Sequence, residues 1–401
     1  MSRVFDIIEK EQQRQDTTIE LIASENFVSK DVLRAVGSCL TNKYSEGYPA
    51  ERPSGNKGRY YGGCQYIDEL EQYCCEKWQE VFHTDYHVNV QPHSGSQANM
   101  AAYMSVLSPG DAILSMSLEN GGHLTHGSPV NFSGKLYNIS QYGVDGKGYI
   151  DYGDLEAKLA ETSPDLVLAG ASAYSRTIDF KRIAEIIDAV YNRGKLRRRP
   201  YFMVDMAHIA GLVAAGYHPS PFGIADIITT TTQKTLRGTR GGLIFCRPEL
   251  AKKVDSAVFP GTQGGPLQHI IAGKAVTAEE ACTPEFKEYI GRVVENANAM
   301  AEEFVSLGYD VVTGGTDNHL FLIDFSGTHP GLTGKAVQDE LERHGITLNK
   351  NCVPNERRSP QTTSGVRIGA AAMTTKGYTK EDFASVARKI DSIIRQMQQD
   401  K

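Results

Sequence analysis

The chain has 401 residues, 40% hydrophobic and 22% charged, which are ordinary globular proportions with room for two or three domains and no mark of wholesale disorder. Lys and Arg number 42 against 48 Asp and Glu, for a net charge of -6, and that balance argues against a basic face for nucleic acid. No stretch nears the ~20 apolar residues that cross a bilayer, and the 39 glycines follow no collagen period.

In chain order, residues 1–30 read as an N-terminal helix and an extended arm. Met1–Lys10 carries no apolar h-region, so no secretory leader is expected. The seven cysteines form no CxxC, and Cys74-Cys75 has no partner at metal-ligand spacing. Reduced thiols in a cytoplasmic protein are therefore expected, with no metal. From about residue 87 to 250, short apolar runs alternate with helical patterns. The runs are His87–Val90, Ala112–Met116, Asp165–Ala169, Tyr201–Val204, Asp226–Thr230 and Leu243–Cys246, bounded by Gly, Pro or Ser as buried strands are. Ile183, Ile186, Ile187 and Val190 mark one helix face between two of them. Lys195 to Arg199 reads as a solvated basic loop. The alternation predicts an α/β fold with a mostly parallel sheet covered by helices. After Pro266 the spacing predicts helices over 267–283 and 285–307, a strand at Leu320–Phe325, a helix near 333–344, a strand at Val366–Ile368 and a final helix. That last helix carries Phe383, Val386, Ile390, Ile393 and Met397 on one face, with Thr379 and Asp382 as an N-cap pair. The predicted organisation is an arm over 1–30, a large domain over 31–280 and a smaller α+β domain over 281–401.

Three stretches carry chemistry. Gln91-Pro-His-Ser94-Gly95-Ser96-Gln-Ala-Asn99 follows a strand and opens a helix, which suits an anion such as phosphate at the helix N-terminus. The same residues also suit a plain N-cap and tight turn, and no Lys follows to make a Walker A loop. Asp205 ends an apolar strand, at the edge where α/β sheets bind ligands. It could pair with a cationic ring nitrogen or cap the next helix. In Thr229-Thr-Thr231-Thr-Gln233-Lys234, a lysine sits among hydroxyls at a strand end. Lysine is costly to bury without a function or a partner, and a depressed pKa frees its amine for Schiff-base chemistry. A phosphate cradle, a carboxylate for a pyridinium and an amine for an aldehyde are together the needs of pyridoxal phosphate. Arg367, after a tight turn, offers a planar fork for a substrate carboxylate. Gly121-Gly-His123-Leu-Thr-His126-Gly127 places two imidazoles in a glycine-rich loop, where one can lie flat on a cofactor ring. Metal binding by the pair lacks completing ligands.

With these residues in hand, the chain resembles the serine hydroxymethyltransferases, fold-type I pyridoxal phosphate enzymes. The resemblance runs through Glu20–Asn26, Asn42–Pro49, Arg59–Gly63, Gln91–Asn99, Gly121–Tyr137, Val204–Gly211, Thr229–Gly242, Phe259–Pro266, Gly314–Leu322 and Asn349–Pro354. It implies a seven-stranded, mostly parallel sheet in the large domain and transfer of the serine hydroxymethyl group to tetrahydrofolate. Lys234 would be the Schiff-base lysine, with Thr231 and Gln233 beside it in the catalytic set. His123 would stack on the ring, Asp205 pair with its nitrogen, and Ser172 and His208 bracket its substituents. Ser94, Gly95 and Ser96 would hold the phosphate, with Gly264 and Gly265 from a second subunit. Ser24 and Arg367 would bind the substrate carboxylate, and Glu46 would handle protons. Tyr44 and Tyr61 would come from the partner of a homodimer, and Leu118, Gly122, Leu124 and Asn351 would line the folate site. A folate-independent β-hydroxy amino acid aldolase or an α-methylserine-type transferase would use the same centre.

Three departures from the family pattern stand out. Gln233 replaces the usual His before the lysine, Thr239 replaces Pro in the following Gly-Pro-Arg, and residues 50–58 are an insertion of loop composition. Gln is neutral where His titrates, so altered amino-acid scope or a slower folate-dependent step is expected.

Overall fold

The computed structural model describes residues 2–50, 55 and 58–399. Most of the 50–58 insertion (51–54, 56 and 57) thus lies outside the described residues. The chain divides into two compact units. One is Phe27–Ser172 with Thr177–Ile290, and the other is Met1–Asn26, Ala173–Arg176 and Gly291–Lys401.

The larger unit is built on a seven-stranded sheet. Its strands are β2 (His87–Asn89), β3 (Ala112–Met116), β4 (Asn138–Tyr142), β5 (Leu166–Ala169), β6 (Tyr201–Asp205), β7 (Ile227–Thr231) and β8 (Gly242–Cys246), in the order β2-β8-β7-β6-β5-β3-β4. Only β8 runs against its neighbours. The apolar runs predict six of the seven within a residue or two. The missing one, β4, reads Asn-Ile-Ser-Gln-Tyr and lies at the sheet edge with its first four residues partly or fully exposed. An edge strand needs no continuous apolar run, so periodicity passes over it. Ile183, Ile187 and Val190 of helix Phe180–Asn192 are buried, as their spacing requires. The only Trp, Trp78, is fully buried on helix Gln65–Phe82 and stacks on Phe82, which packs in turn on Phe222 and Phe245. Each such burial contributes about 1.5–3 kcal/mol.

The basic loop is more than a solvated turn. Arg197 and Arg198 both pair with buried Asp165, and Arg199 pairs with Asp188 and Asp226. Asp165 and Asp226 immediately precede β5 and β7, so the run pins the N-terminal edge of the sheet.

The smaller unit holds a four-stranded antiparallel sheet of Asn349–Asn351 (β12), Gly365–Gly369 (β13), Leu320–Asp324 (β10) and Asp310–Val311 (β9), in that order. The final helix, Lys380–Gln399, buries Phe383, Val386, Ile390 and Ile393. Thr379 and Asp382 form the reciprocal N-cap expected of them. Two expectations about organisation change. Residues 1–26 group with the C-terminal unit instead of forming a separate arm, because Ile19–Glu20 (β1) pairs in parallel with Ile346–Thr347 (β11) and the Leu21 carbonyl accepts from Gly369 N–H. The division between units also falls at Ile290/Gly291, ten residues past the predicted one and inside helix Pro284–Ser306. A continuous helix leaves no compositional mark at such a junction.

Candidate active site

The C-terminal ends of β6 and β7 lie side by side, with Asp205 in register with Thr229. Because β8 is antiparallel, its first residue, Gly242, reaches the same edge and donates to the Pro92 carbonyl at 3.1 Å. The edge therefore collects Asp205, Thr231, the Lys234 segment and the turn at Ser94, the kind of strand-end crevice in which α/β sheets place ligands.

The turn has both characters that its sequence suggests. Ser94 is the N-cap of helix Gly95–Val106, its hydroxyl accepting from Gln97 N–H at 3.3 Å. The N–H groups of Gly95 and Ser96 belong to the first turn, which has no intrahelical acceptors. A Cβ on Gly95 would stand 2.5 Å from Thr231 Cγ2, so this approach requires glycine. Thr231 Oγ1 is buried without a hydrogen-bond partner among the described residues, an orphan of the kind that a ligand satisfies.

Asp205 is a carboxylate with three donors around it. Its Oδ2 accepts from His126 Nε2 at 3.0 Å and Asn99 Nδ2 at 2.9 Å, and its Oδ1 from Ala207 N–H at 3.0 Å. Burial alone would push its pKa up, but the His126 hydrogen bond, the nearby imidazoles and Asn99 hold it well below the usual carboxylate range. It is an anion at any physiological pH. Asn99 Nδ2 also donates to Thr125 Oγ1 at 2.8 Å, and Thr125 Oγ1 lies 2.7 Å from His123 Nδ1. His123 is thus oriented through the same network. Sequence reading missed Asn99 and His126 as the holders of Asp205, although both stand in the motifs it singled out. Gly170, in the segment after β5, has φ +130°, and a Cβ there would lie 2.1 Å from the Asp205 carbonyl oxygen. Gly170→Ala is expected to cost about 3 kcal/mol or more, read as a lowered urea midpoint; an unchanged midpoint would contradict this packing.

Lys234 is half-buried in a braced loop, in which Gly238 N–H donates to the Thr232 carbonyl and Thr232 Oγ1 to the Thr239 carbonyl. Gln233 Oε1 accepts from Gly241 N–H at 3.4 Å. Gln233 and Thr239 therefore sit in one hydrogen-bonded loop. His208 is buried, its carbonyl accepting from Thr235 Oγ1, and Ser172 N–H donates to the Gly121 carbonyl. The glycine-rich loop and the β5 exit are thereby tied together.

Tyr44, Glu46, Tyr61, Gly264 and Gly265 form a second group. The Tyr44 and Tyr61 rings lie 5.2 Å apart, Tyr61 OH donates to Glu46 Oε2 at 3.3 Å, and Cβ atoms on Gly264 and Gly265 would meet Glu46 Oε1 and the Tyr44 ring. Tyr44 and Tyr61 are exposed, as are Leu118 and Leu124. A Cβ on Gly122 would press on the Met116 carbonyl oxygen at 2.3 Å.

Ser24, Arg367 and Asn351 belong to the smaller unit. Ala23, beside Ser24, abuts Gly369 at the end of the strand that carries Arg367. Arg367 is 9% exposed, its Nε donates to Asn349 Oδ1 at 3.2 Å, and burial lowers its pKa to about 10. It stays protonated at neutral pH, a desolvated guanidinium suited to an anion. Asn351 Nδ2 donates to the Cys352 carbonyl.

Among known families, the model described as serine hydroxymethyltransferase matches residues 2–390.

Proposed function

We propose, for a chain that belongs to the serine hydroxymethyltransferase family, that it moves the hydroxymethyl carbon of serine to tetrahydrofolate reversibly, leaving glycine. Dependence on pyridoxal phosphate comes with the family, and the residues present fit that group. Gly95 lets the Thr231 side chain pack against the turn, Thr231 carries an orphaned buried hydroxyl there, and Asp205 is kept ionised. When bound, pyridoxal phosphate supplies the electron sink that stabilises negative charge at an amino acid's α-carbon.

The chain's own residues have separable tasks in this reading. Lys234 holds the cofactor's aldehyde, and the Gly95 and Ser96 N–H groups with Ser94 hold its phosphate. Asp205 would keep a proton on the ring nitrogen, and His123, Ser172 and His208 would hold the ring. Arg367 and Ser24 hold the substrate carboxylate. Glu46, partnered by Tyr61 OH, takes and returns the proton of the serine hydroxyl. Leu118, Gly122, Leu124 and Asn351 line the folate side. The single observation that carries the reading is the buried Asp205, anionic by virtue of His126 and Asn99 and one strand away from the Lys234 segment. A homodimer belongs to the same proposal, with Tyr44, Glu46, Tyr61, Gly264 and Gly265, which one chain holds together as a group, serving the partner's site. It is supported by the exposed Tyr44, Tyr60, Tyr61 and Tyr66, and by helix Arg3–Thr17, which buries none of its residues while exposing Val4, Phe5, Ile7 and Ile8.

The test is glycine production from serine by the protein loaded with pyridoxal phosphate, with and without tetrahydrofolate. A rate at least about 100-fold higher with folate is expected. Turnover of threonine or α-methylserine without folate, exceeding that of serine with it, would replace the transferase reading by the folate-independent one. Arg367→Lys keeps the charge but loses the fork, and should lower kcat/KM for serine on the order of 100-fold, mainly through KM. An unchanged KM would remove Arg367 from the carboxylate site.

A further inference from the structure

Lys274 lies within helix Gln268–Ala281 and is 1% exposed. Nothing in the reaction outlined above uses it. Its Nζ donates to the carbonyls of Val90 at 2.7 Å, Pro92 at 2.9 Å and Gly242 at 2.9 Å. An ammonium has three donors, so all three are engaged. Val90 and Pro92 lead from β2 into the turn at Ser94, and Gly242 opens β8. The Gly242 N–H returns to the Pro92 carbonyl, and a Cβ on Gly242 would lie 2.4 Å from the Ser94 carbonyl oxygen. A Cβ on Gly241 would stand 2.3 Å from Lys274 Cε, so the chain leaves a slot for the lysine stem. A methionine would fill much of that slot without the cost of burying a charge.

We propose that Lys274 is a positioning residue for the cofactor phosphate, its three hydrogen bonds holding Val90 to Ser94 and the start of β8 in the arrangement that presents the Gly95 and Ser96 N–H groups. The inference rests on the reading that residues 94–96 hold that phosphate. The groups facing Lys274 are Glu71, Cys74 and Cys75 of helix Gln65–Phe82 and His93 of the turn itself. Burial draws the lysine pKa down to about 8, against the opposing pull of Cys74 and Glu71. Above that pH the amine has two donors for three carbonyls, and one carbonyl is left unpaired. Phosphate binding and protonation of Lys274 then support each other.

The sign separates this role from a merely structural one. A folded pKa of about 8, below the ordinary lysine value, means that the unfolded chain binds more protons as pH rises past 8. The contribution of Lys274 to global stability therefore rises with pH, while the grip on phosphate weakens.

The experiment measures the affinity of the full-length protein for pyridoxal phosphate and for pyridoxal, from about pH 7 to about pH 9, with the melting temperature alongside. Aldehyde chemistry at Lys234 is common to both ligands and cancels in the ratio, and the cofactor phosphate is largely dianionic throughout. The preference for the phosphorylated ligand should fall by up to about tenfold per pH unit above 8. In Lys274→Met it should be about tenfold lower at neutral pH and flat. A preference independent of pH in the unaltered protein, or a slope retained in Lys274→Met, would overturn the role of Lys274. No preference for the phosphorylated ligand at any pH would instead overturn the phosphate reading of residues 94–96. Should Lys274→Met not fold, the slope of the unaltered protein decides.

Discussion

Lys234→Ala is expected to lower serine turnover by about 1,000-fold or more while keeping the protein folded. The two outcomes separate because the side chain and the backbone of this segment do different things. The loop is braced by backbone groups and by neighbours: Arg237 N–H to the Lys234 carbonyl, Gly238 N–H to the Thr232 carbonyl, Thr232 Oγ1 to the Thr239 carbonyl. None of these bonds uses the Lys234 amine, so truncation at Cβ leaves them in place. What is lost, on the proposed reading, is the one amine of the segment that would hold the cofactor's aldehyde and exchange it with the substrate's nitrogen. The check is turnover together with the visible absorption of the protein after adding pyridoxal phosphate and then borohydride. A fully active Lys234→Ala protein would remove this mechanism.

Asp205→Asn should lower turnover by a similar factor of about 1,000 and, unlike the lysine variant, should also destabilise the fold. The carboxylate accepts from three donors, His126 Nε2, Asn99 Nδ2 and Ala207 N–H. Asparagine brings an NH2 group of its own to one of those positions, so donor faces donor. Each buried donor left unpaired costs about 1–3 kcal/mol. On the proposed reading, loss of the negative charge also removes the group that would keep the ring nitrogen protonated, and with it the electron sink. Turnover and urea unfolding measured on the same preparation test both halves. A variant that unfolds as the parent does but has lost activity would place the charge alone in the mechanism. Retained activity would mean that the ring nitrogen is not partnered by Asp205.

On the proposed reading, Gln233 bears on how the reaction is tuned. Its Oε1 accepts from Gly241 N–H, so the side chain acts within the loop that carries Lys234. Thr239, the other substitution there, supplies the carbonyl that takes Thr232 Oγ1 and packs its methyl where a Cβ on Gly273 would stand. A neutral amide cannot titrate at this position, whereas imidazole would.

The candidate site was legible from sequence wherever a proposed site residue stands at the end of a buried strand or in the turn that follows it. Asp205, Thr231, Lys234 and the Ser94 turn all do, because a parallel sheet brings its C-terminal strand ends to one edge whatever the details of packing. The core was legible for the same elementary reason: strands β5 to β8 and the face of helix Phe180–Asn192 exclude water and are written in apolar residues at fixed spacing. Polar partnerships over long sequence separations were not. His126 and Asn99 meet Asp205 across 79 and 106 residues, and nothing local to any of the three names the others. Edge strand β4, half in water, carries no apolar signature, and the N-terminal segment declares nothing about β11 until the two pair. Lys274 is the extreme case, an ordinary lysine within a helix by composition. By itself the sequence determined which segments are buried and where the chemistry-bearing strand ends lie, since hydrophobic periodicity and strand direction are local properties. Only the tertiary structure decided which buried polar group satisfies which other, since a buried hydrogen bond is chosen by proximity in space, and that choice sets the charge of Asp205 and the three-carbonyl hold of Lys274.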